Sequence, residues 1–281
     1  MTDHAQHDLT SMARLAVRTD AMLGIDLVLV DQTAMTEPGG ESTPAPAGVA
    51  PPIRQDSAPA PVARRPSRPT VPVSIDAAYF DEGVAQASRL SRLQEHHACS
   101  CTYCLENDSD HVIVFGEGAA DASLMFVGES PGTEEERQGR PFVGRAGSKL
   151  DEMIKAMGLR REDVYITNAL KSRPPGTRPS EVSDFERCGA FFAAQVRIIK
   201  PAVIVALGGP ASKLLLQSEL GITSLRGAWG CFNDGNDDVA LMPTFHPAYL
   251  VRNPTLEVRG QVWADLQEVM KRLGLSAPPR D

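Results

Sequence analysis

The chain has 281 residues, 42% of them hydrophobic, and a formal net charge of −8. That is enough apolar material for one sizeable core, and too acidic a balance for a protein that coats nucleic acid through an overall positive field. No run of eighteen apolar residues occurs, which excludes an ordinary membrane-spanning helix, and MTDHAQHDLTSMARL lacks the basic-then-apolar order of a secretion signal, so a cytoplasmic location is expected.

In chain order, apolar residues at helical spacing from Leu9 to Leu23 predict a short amphipathic helix, ended by Gly24, with a strand or apolar tail from Ile25 to Val30. Residues 1–36 form a small N-terminal element, open to two readings: a peptide that docks a protein partner, or a piece packed on the main domain. Ten prolines between Pro38 and Pro72, mixed with Ala, Gly and Ser, predict a disordered, extended linker over 37–74, because such a segment buries too little apolar surface to offset its chain entropy. One α/β domain is expected over 75–275, followed by a tail at 276–281. It opens with a helix from Asp76 to His97 that leads into CSCTYC and a short strand from His111 to Phe115. Five cysteines are an odd number, and Cys101 and Cys104 have the C-x-x-C spacing of a metal site rather than a disulfide framework.

The central stretch is LMFVGESPGTEEERQGRPFVGRAG, Leu124 to Gly147. Leu124 to Val127 reads as a buried strand, the loop from Gly128 to Gly132 allows close approach of backbone to a ligand, and Ser148 to Met157 repeats apolar residues at helical spacing. Core strands follow at Val164–Thr167, Val203–Leu207 and Val239–Phe245, with helices at Val182–Ile199, Pro210–Leu216 and Thr255–Leu273. Strands alternating with helices predict a three-layer α/β/α fold around a mostly parallel four-stranded sheet. Glu129, Asn168 and His246 each follow a different strand, and in such a sheet the carboxyl ends share the edge where ligands bind.

Four motifs carry a resemblance: GESPGTEEERQGRPFVGRAG, YITNALKSRPPGTRP at Tyr165–Pro179, Arg226-Gly227, and TFHPAYLVR at Thr244–Arg252. In this order they resemble the family 4 uracil-DNA glycosylases, over roughly Cys101 to Leu273. The resemblance implies a DNA repair enzyme that extrudes uracil and hydrolyses its N-glycosidic bond to leave an abasic site; no lysine nucleophile for a lyase step is evident, and a monomer acting on DNA, single- or double-stranded, is expected, with strand preference and oligomeric state left open. Rival readings are a superfamily glycosylase for another deaminated base and a non-catalytic DNA-binding module. PPGTRPSEV lacks the basic, histidine-containing insertion that the resemblance implies for the covalently trapping type.

On that reading Phe142 stacks on the base, and the Asn168 amide donates to uracil O4 and accepts from N3–H, a pattern that cytosine inverts. His246, from the HPAYL motif, donates to the charge that collects on uracil O2, and Glu129 stabilises the sugar cation or positions the attacking water. Ser130 and Gly132 line the base site, Ser130 standing where the family has alanine, with a hydroxyl that holds the water or does nothing. Glu134, Glu135 and Glu136 would ordinarily be a solvated acidic turn; by resemblance Glu135 lies beside C5 and excludes thymine's methyl. Lys171, Arg173 and Arg252 are expected at phosphates, and Leu250 as the wedge that fills the gap left by the base.

The resemblance also implies a four-iron, four-sulfur cluster on four cysteines. Cys101, Cys104 and Cys188 stand at three of those positions, but Lys171 is followed by Ser172 where the third cysteine belongs. Cys99 substituting, water substituting, and absence of the cluster all remain open, and Cys231 reads as an ordinary buried thiol.

Overall fold

The structure, a computed structural model, describes residues 75–106, 112–174, 178 and 180–277. The expected N-terminal helix and strand, the linker and the end of the tail lie outside these residues, as does any docking role for residues 1–36. No helix among the described residues is long and apolar enough to cross a membrane.

Among the described residues six strands form one sheet: β1 (Glu117–Gly118), β2 (Leu124–Gly128), β3 (Tyr165–Asn168), β4 (Val203–Leu207), β5 (Gly230–Asn233) and β6 (Asp238–Thr244), in the order β1-β3-β2-β4-β6-β5. The inner four are parallel and are the four that the sequence predicts; β1 and β5 add antiparallel edges. Two residues of β1, one a glycine, and a four-residue β5 carry too little alternation to be seen in advance.

The inner strands are buried on both faces, as period-two geometry requires of the middle layer of three. Met125, Val127, Ile204 and Ala206 pack on one side, with α1 (Gln86–Ser100), α2 (Thr102–Glu106) and α5 (Val182–Ile199). Leu124, Phe126, Val203 and Val205 pack on the other, with α4 (Gly144–Ala156) and α9 (Leu256–Leu273). Shorter helices complete the domain: α3 (Thr133–Gln138), α6 (Gly209–Leu216), α7 (Ile222–Leu225) and α8 (Pro247–Arg252).

Two expected elements come out differently. The helix expected from Asp76 is interrupted: a 3₁₀ turn at Ala77–Phe80 is capped by Asp76, whose Oδ1 accepts from Ala78 N at 2.9 Å, and Asp81 then takes the Gly83 amide at 2.9 Å, turning the chain before α1 begins. The strand expected at His111–Phe115 is absent over its described residues, 112–115. There the Phe115 carbonyl accepts from the side chains of Thr167 (2.8 Å) and Gln195 (2.9 Å), so this backbone is satisfied without a ladder partner.

Candidate active site and cysteine–histidine centre

Parallel pairing sets Gly128 opposite Asn168, so the end of β2 and the end of β3 meet at one edge. The loop after β2 is fastened there by Ala169 N to Gly128 O and Leu170 N to Glu129 O, both 2.9 Å. Gly128 has to be glycine: a Cβ would lie 2.2 Å from Asn168 Oδ1 and 2.8 Å from Phe142 Cζ. Gly147 serves the same packing from the other side, since a Cβ there would fall 1.9 Å from the Phe142 carbonyl oxygen. Phe142 itself is 2% exposed, packed in the core cluster with Leu150 and Phe245, and has φ +49°, a left-handed conformation that costs a non-glycine residue energy and tends to persist where the surroundings over-determine it.

Asn168 is 1% exposed and donates through Nδ2 to Glu135 Oε2 at 3.1 Å. An ionised carboxylate only accepts, so this bond fixes which end of the amide is NH₂ and directs Oδ1 toward Gly128 and Phe142. Burial pushes the Glu135 carboxyl above the ordinary range, opposed by its bond from Asn168. Glu136, read as a solvated turn residue, is 3% exposed; it accepts from Arg173 N at 3.2 Å and pairs with the Arg173 guanidinium at 3.3 Å, tying α3 to the chain beyond β3.

His246 caps α8, its Nδ1 accepting from Ala248 N at 3.0 Å. Accepting at Nδ1 leaves the proton of the neutral ring on Nε2. Burial, aided by the Arg252 charge, holds the imidazole down to about 4, so the ring is neutral near pH 7. Its plane lies 28° from that of Phe142, with centroids 5.6 Å apart. Asn168, Phe142 and His246, far apart in the chain, are therefore neighbours, with Glu129 one residue beyond Gly128. Glu129 and Ser130 are half-buried and Gly132 is exposed, and Glu129 Oε1 accepts from Ser180 N at 3.2 Å.

Two residues expected at DNA are buried. Lys171 is 0% exposed; its Nζ donates to Thr167 Oγ1 and to the Asn168 carbonyl, both at 2.7 Å, and burial lowers it to about 7. It braces the strand end that carries Asn168 and cannot reach a phosphate. Leu250 is 2% exposed, packed in the core beneath α8, where it anchors the helix that presents His246. Arg252 is exposed and Arg173 half-buried, both at this edge of the domain.

On the opposite face of the sheet, Cys101, Cys104 and Cys188 meet His97 in a buried group whose donor atoms all lie within 4.8 Å of one another. This group is suited to hold a metal centre. His97 and Cys101 are one helical turn apart at the end of α1, Cys104 lies in α2 and Cys188 in α5. The sequence reading missed His97, although the signal was present as H-x-x-x-C-x-x-C. Cys99 is not the substitute: it is exposed and its thiol donates to the His96 carbonyl at 3.3 Å. Cys231 is half-buried rather than buried. A four-iron cluster takes four thiolates, one on each corner iron. Here the thiolates fall one short, because the residue at the third position is Ser172, a buried hydroxyl beside Cys104.

A parallel α/β sheet with an amide, an imidazole, an aromatic ring and a carboxylate gathered at its carboxyl edge carries the groups that hold planar, hydrogen-bonding ligands in folds of this kind. The family model described as the uracil DNA glycosylase superfamily matches residues 115–267, more than half of the chain, and the chain belongs to that superfamily. It is 44% identical to the type-4 uracil-DNA glycosylase of Thermotoga maritima over 60% of this chain and 86% of the relative. It is 39% identical to that of Sulfurisphaera tokodaii, over 59% and 78%, and 36% identical to that of Archaeoglobus fulgidus, over 64% and 91%.

Proposed function

We propose that this chain removes uracil from DNA by hydrolysing its N-glycosidic bond, leaving an abasic site for repair. The observation that carries the reading is the pairing, at one sheet edge, of an amide oriented by a carboxylate (Asn168 on Glu135) with a neutral imidazole whose free N–H is Nε2.

A base must leave the duplex to be reached, at a cost of a few kcal/mol, and a fitted pocket recovers that cost. Phe142 offers its ring for stacking, worth on the order of 1–3 kcal/mol. With one Nδ2 hydrogen held by Glu135, the second donates to uracil O4 while Oδ1 accepts from N3–H. Cytosine would set donor against donor and acceptor against acceptor, worth about 1–3 kcal/mol of discrimination. As the bond from C1′ to N1 lengthens, the sugar becomes cationic and the departing base anionic. His246 Nε2–H donates to O2, where the charge collects; a neutral donor keeps its proton and stabilises without having to reprotonate. Glu129 faces the cation, and water adds to C1′ as the base leaves. Ser130 and Gly132 border this loop, and Glu135 beside C5 discriminates against thymine's methyl.

Arg252 and Arg173 contact phosphates and set position rather than sequence. The cysteine–histidine centre clamps α1, α2 and α5 on the far side of the sheet and takes part in no step.

Single-turnover release from uracil-containing oligonucleotides tests the assignment. Asn168→Ala and His246→Ala should each slow release by about 10²–10³-fold, the range for loss of a transition-state donor, with the circular dichroism spectrum unchanged. Wild-type rates in either folded variant would reject that residue's role. A panel including hypoxanthine and xanthine separates a uracil enzyme from one for another deaminated base, and inactivity on every lesion would favour a binding module.

A further inference from the structure

We propose that His97, Cys101, Cys104 and Cys188 bind a single tetrahedral zinc ion where the resemblance implies a four-iron cluster. The inference does not depend on the excision activity. Zinc–sulfur bonds of about 2.3 Å and zinc–nitrogen bonds of about 2.0 Å in a tetrahedron set sulfurs about 3.8 Å apart and sulfur about 3.5 Å from nitrogen. The structure has Cys104 Sγ 3.9 Å from Cys188 Sγ, and His97 Nε2 3.4 Å from Cys104 Sγ and 3.9 Å from Cys188 Sγ. In a four-iron cube each ligand binds a different corner iron, so the whole body of the cube separates the donors. A group drawn within 4.8 Å encloses one ion and leaves no space for eight cluster atoms.

The donor chemistry agrees. Three thiolates and one imidazole are a standard closed, structural zinc set, whereas four-iron clusters are held by four cysteines. Ser172, at the position of the absent cysteine, is a poor ligand for iron, and His97 supplies the fourth donor from the preceding helix. The four residues are between 0% and 5% exposed, so the shell is closed to water as a structural site is. The imidazole is oriented by packing: its ring sits 4.7 Å from Phe191 and 5.6 Å from Phe115, and Nδ1 has no hydrogen-bond partner among the described residues. Zn²⁺ with three thiolates carries one net negative charge, which favours the ammonium form of Lys171, buried nearby on the Thr167 hydroxyl and the Asn168 carbonyl. The centre would thus clamp three helices and balance the lysine that braces the strand end bearing Asn168.

The test uses the full chain, made in cells supplied with both iron and zinc and purified without oxygen. Elemental analysis should find one zinc per chain, with iron and acid-labile sulfide at background and a colourless solution. Four irons and four sulfides per chain, with the brown absorption of a cluster, would overturn the proposal, as would a chain that holds no metal and binds no added zinc. Cobalt(II) exchanged into the site should show the intense ligand-field bands of tetrahedral thiolate coordination. His97→Ala should weaken zinc binding by more than the roughly 10–100-fold typical of losing an outer-shell partner. His97→Cys should keep zinc and shift the cobalt bands toward four-sulfur coordination. An unshifted cobalt spectrum in the folded His97→Cys variant would remove His97 from the site.

Discussion

The sharpest test of the pocket is Gly128→Ala, because the perturbation is a single methyl group whose neighbours are known. The backbone of Gly128 is not left-handed, so alanine introduces no φ strain. Its Cβ, however, would stand 2.2 Å from Asn168 Oδ1 and 2.8 Å from Phe142 Cζ. Non-bonded heavy atoms settle at roughly 3.5–4 Å, so the amide must retreat by about 1 Å or more, away from the place proposed for the base. A misplacement of that size costs on the order of 10²-fold in rate, equivalent to about 2.7 kcal/mol of barrier. Single-turnover uracil release should fall by that factor, while the thermal midpoint moves far less than the rate. Gly260→Ala is the control: a Cβ there meets nothing within 4 Å, so activity should be unchanged and α9 stabilised by roughly 0.8–1 kcal/mol. A Gly128→Ala enzyme releasing uracil within twofold of wild type would show that the Asn168 amide does not read the base from this position.

Two further predictions concern charge. His246 is held at about 4, below the ordinary value near 6.5, so the unfolded chain binds its proton more readily than the folded one. Its contribution to stability is present above about pH 6.5 and is lost as the pH falls toward 4. Imidazole NMR should show no titration of His246 between pH 6 and 8; a midpoint near 6.5 would refute the neutral-donor assignment. Arg226→Met should destabilise the domain by about 3 kcal/mol in urea unfolding, the low end for breaking a buried ion pair, because Asp265, 2% exposed, would keep only its 2.6 Å bond from Thr244 after losing the 2.6 Å bond from Arg226. A change under 0.5 kcal/mol would show that this pair is not what holds the Arg226-Gly227 turn to α9.

The predicted placement of the pocket loop came from local chemistry: small residues after a short apolar run, and polar residues after strand ends. Residues that act through distant neighbours were harder to read. The pattern Glu134-Glu135-Glu136 is the same whether the side chains face water or the core, and only packing separates Glu135, facing Asn168, from Glu136, facing Arg173. The inward turn of Lys171 escaped the sequence for the same reason. A basic residue in a basic loop gives no sign that its Nζ will turn inward to Thr167 and the Asn168 carbonyl.

Sequence alone determined the inner strands, the long helices and the family, because strand and helix periodicities and short loop motifs are local properties of the chain. Which side chain completes the cysteine centre, which end of the Asn168 amide is bonded to Glu135 and which nitrogen of His246 carries its proton were decided only by tertiary structure. Each depends on a donor or acceptor brought close by folding, at a distance along the chain that no local pattern records.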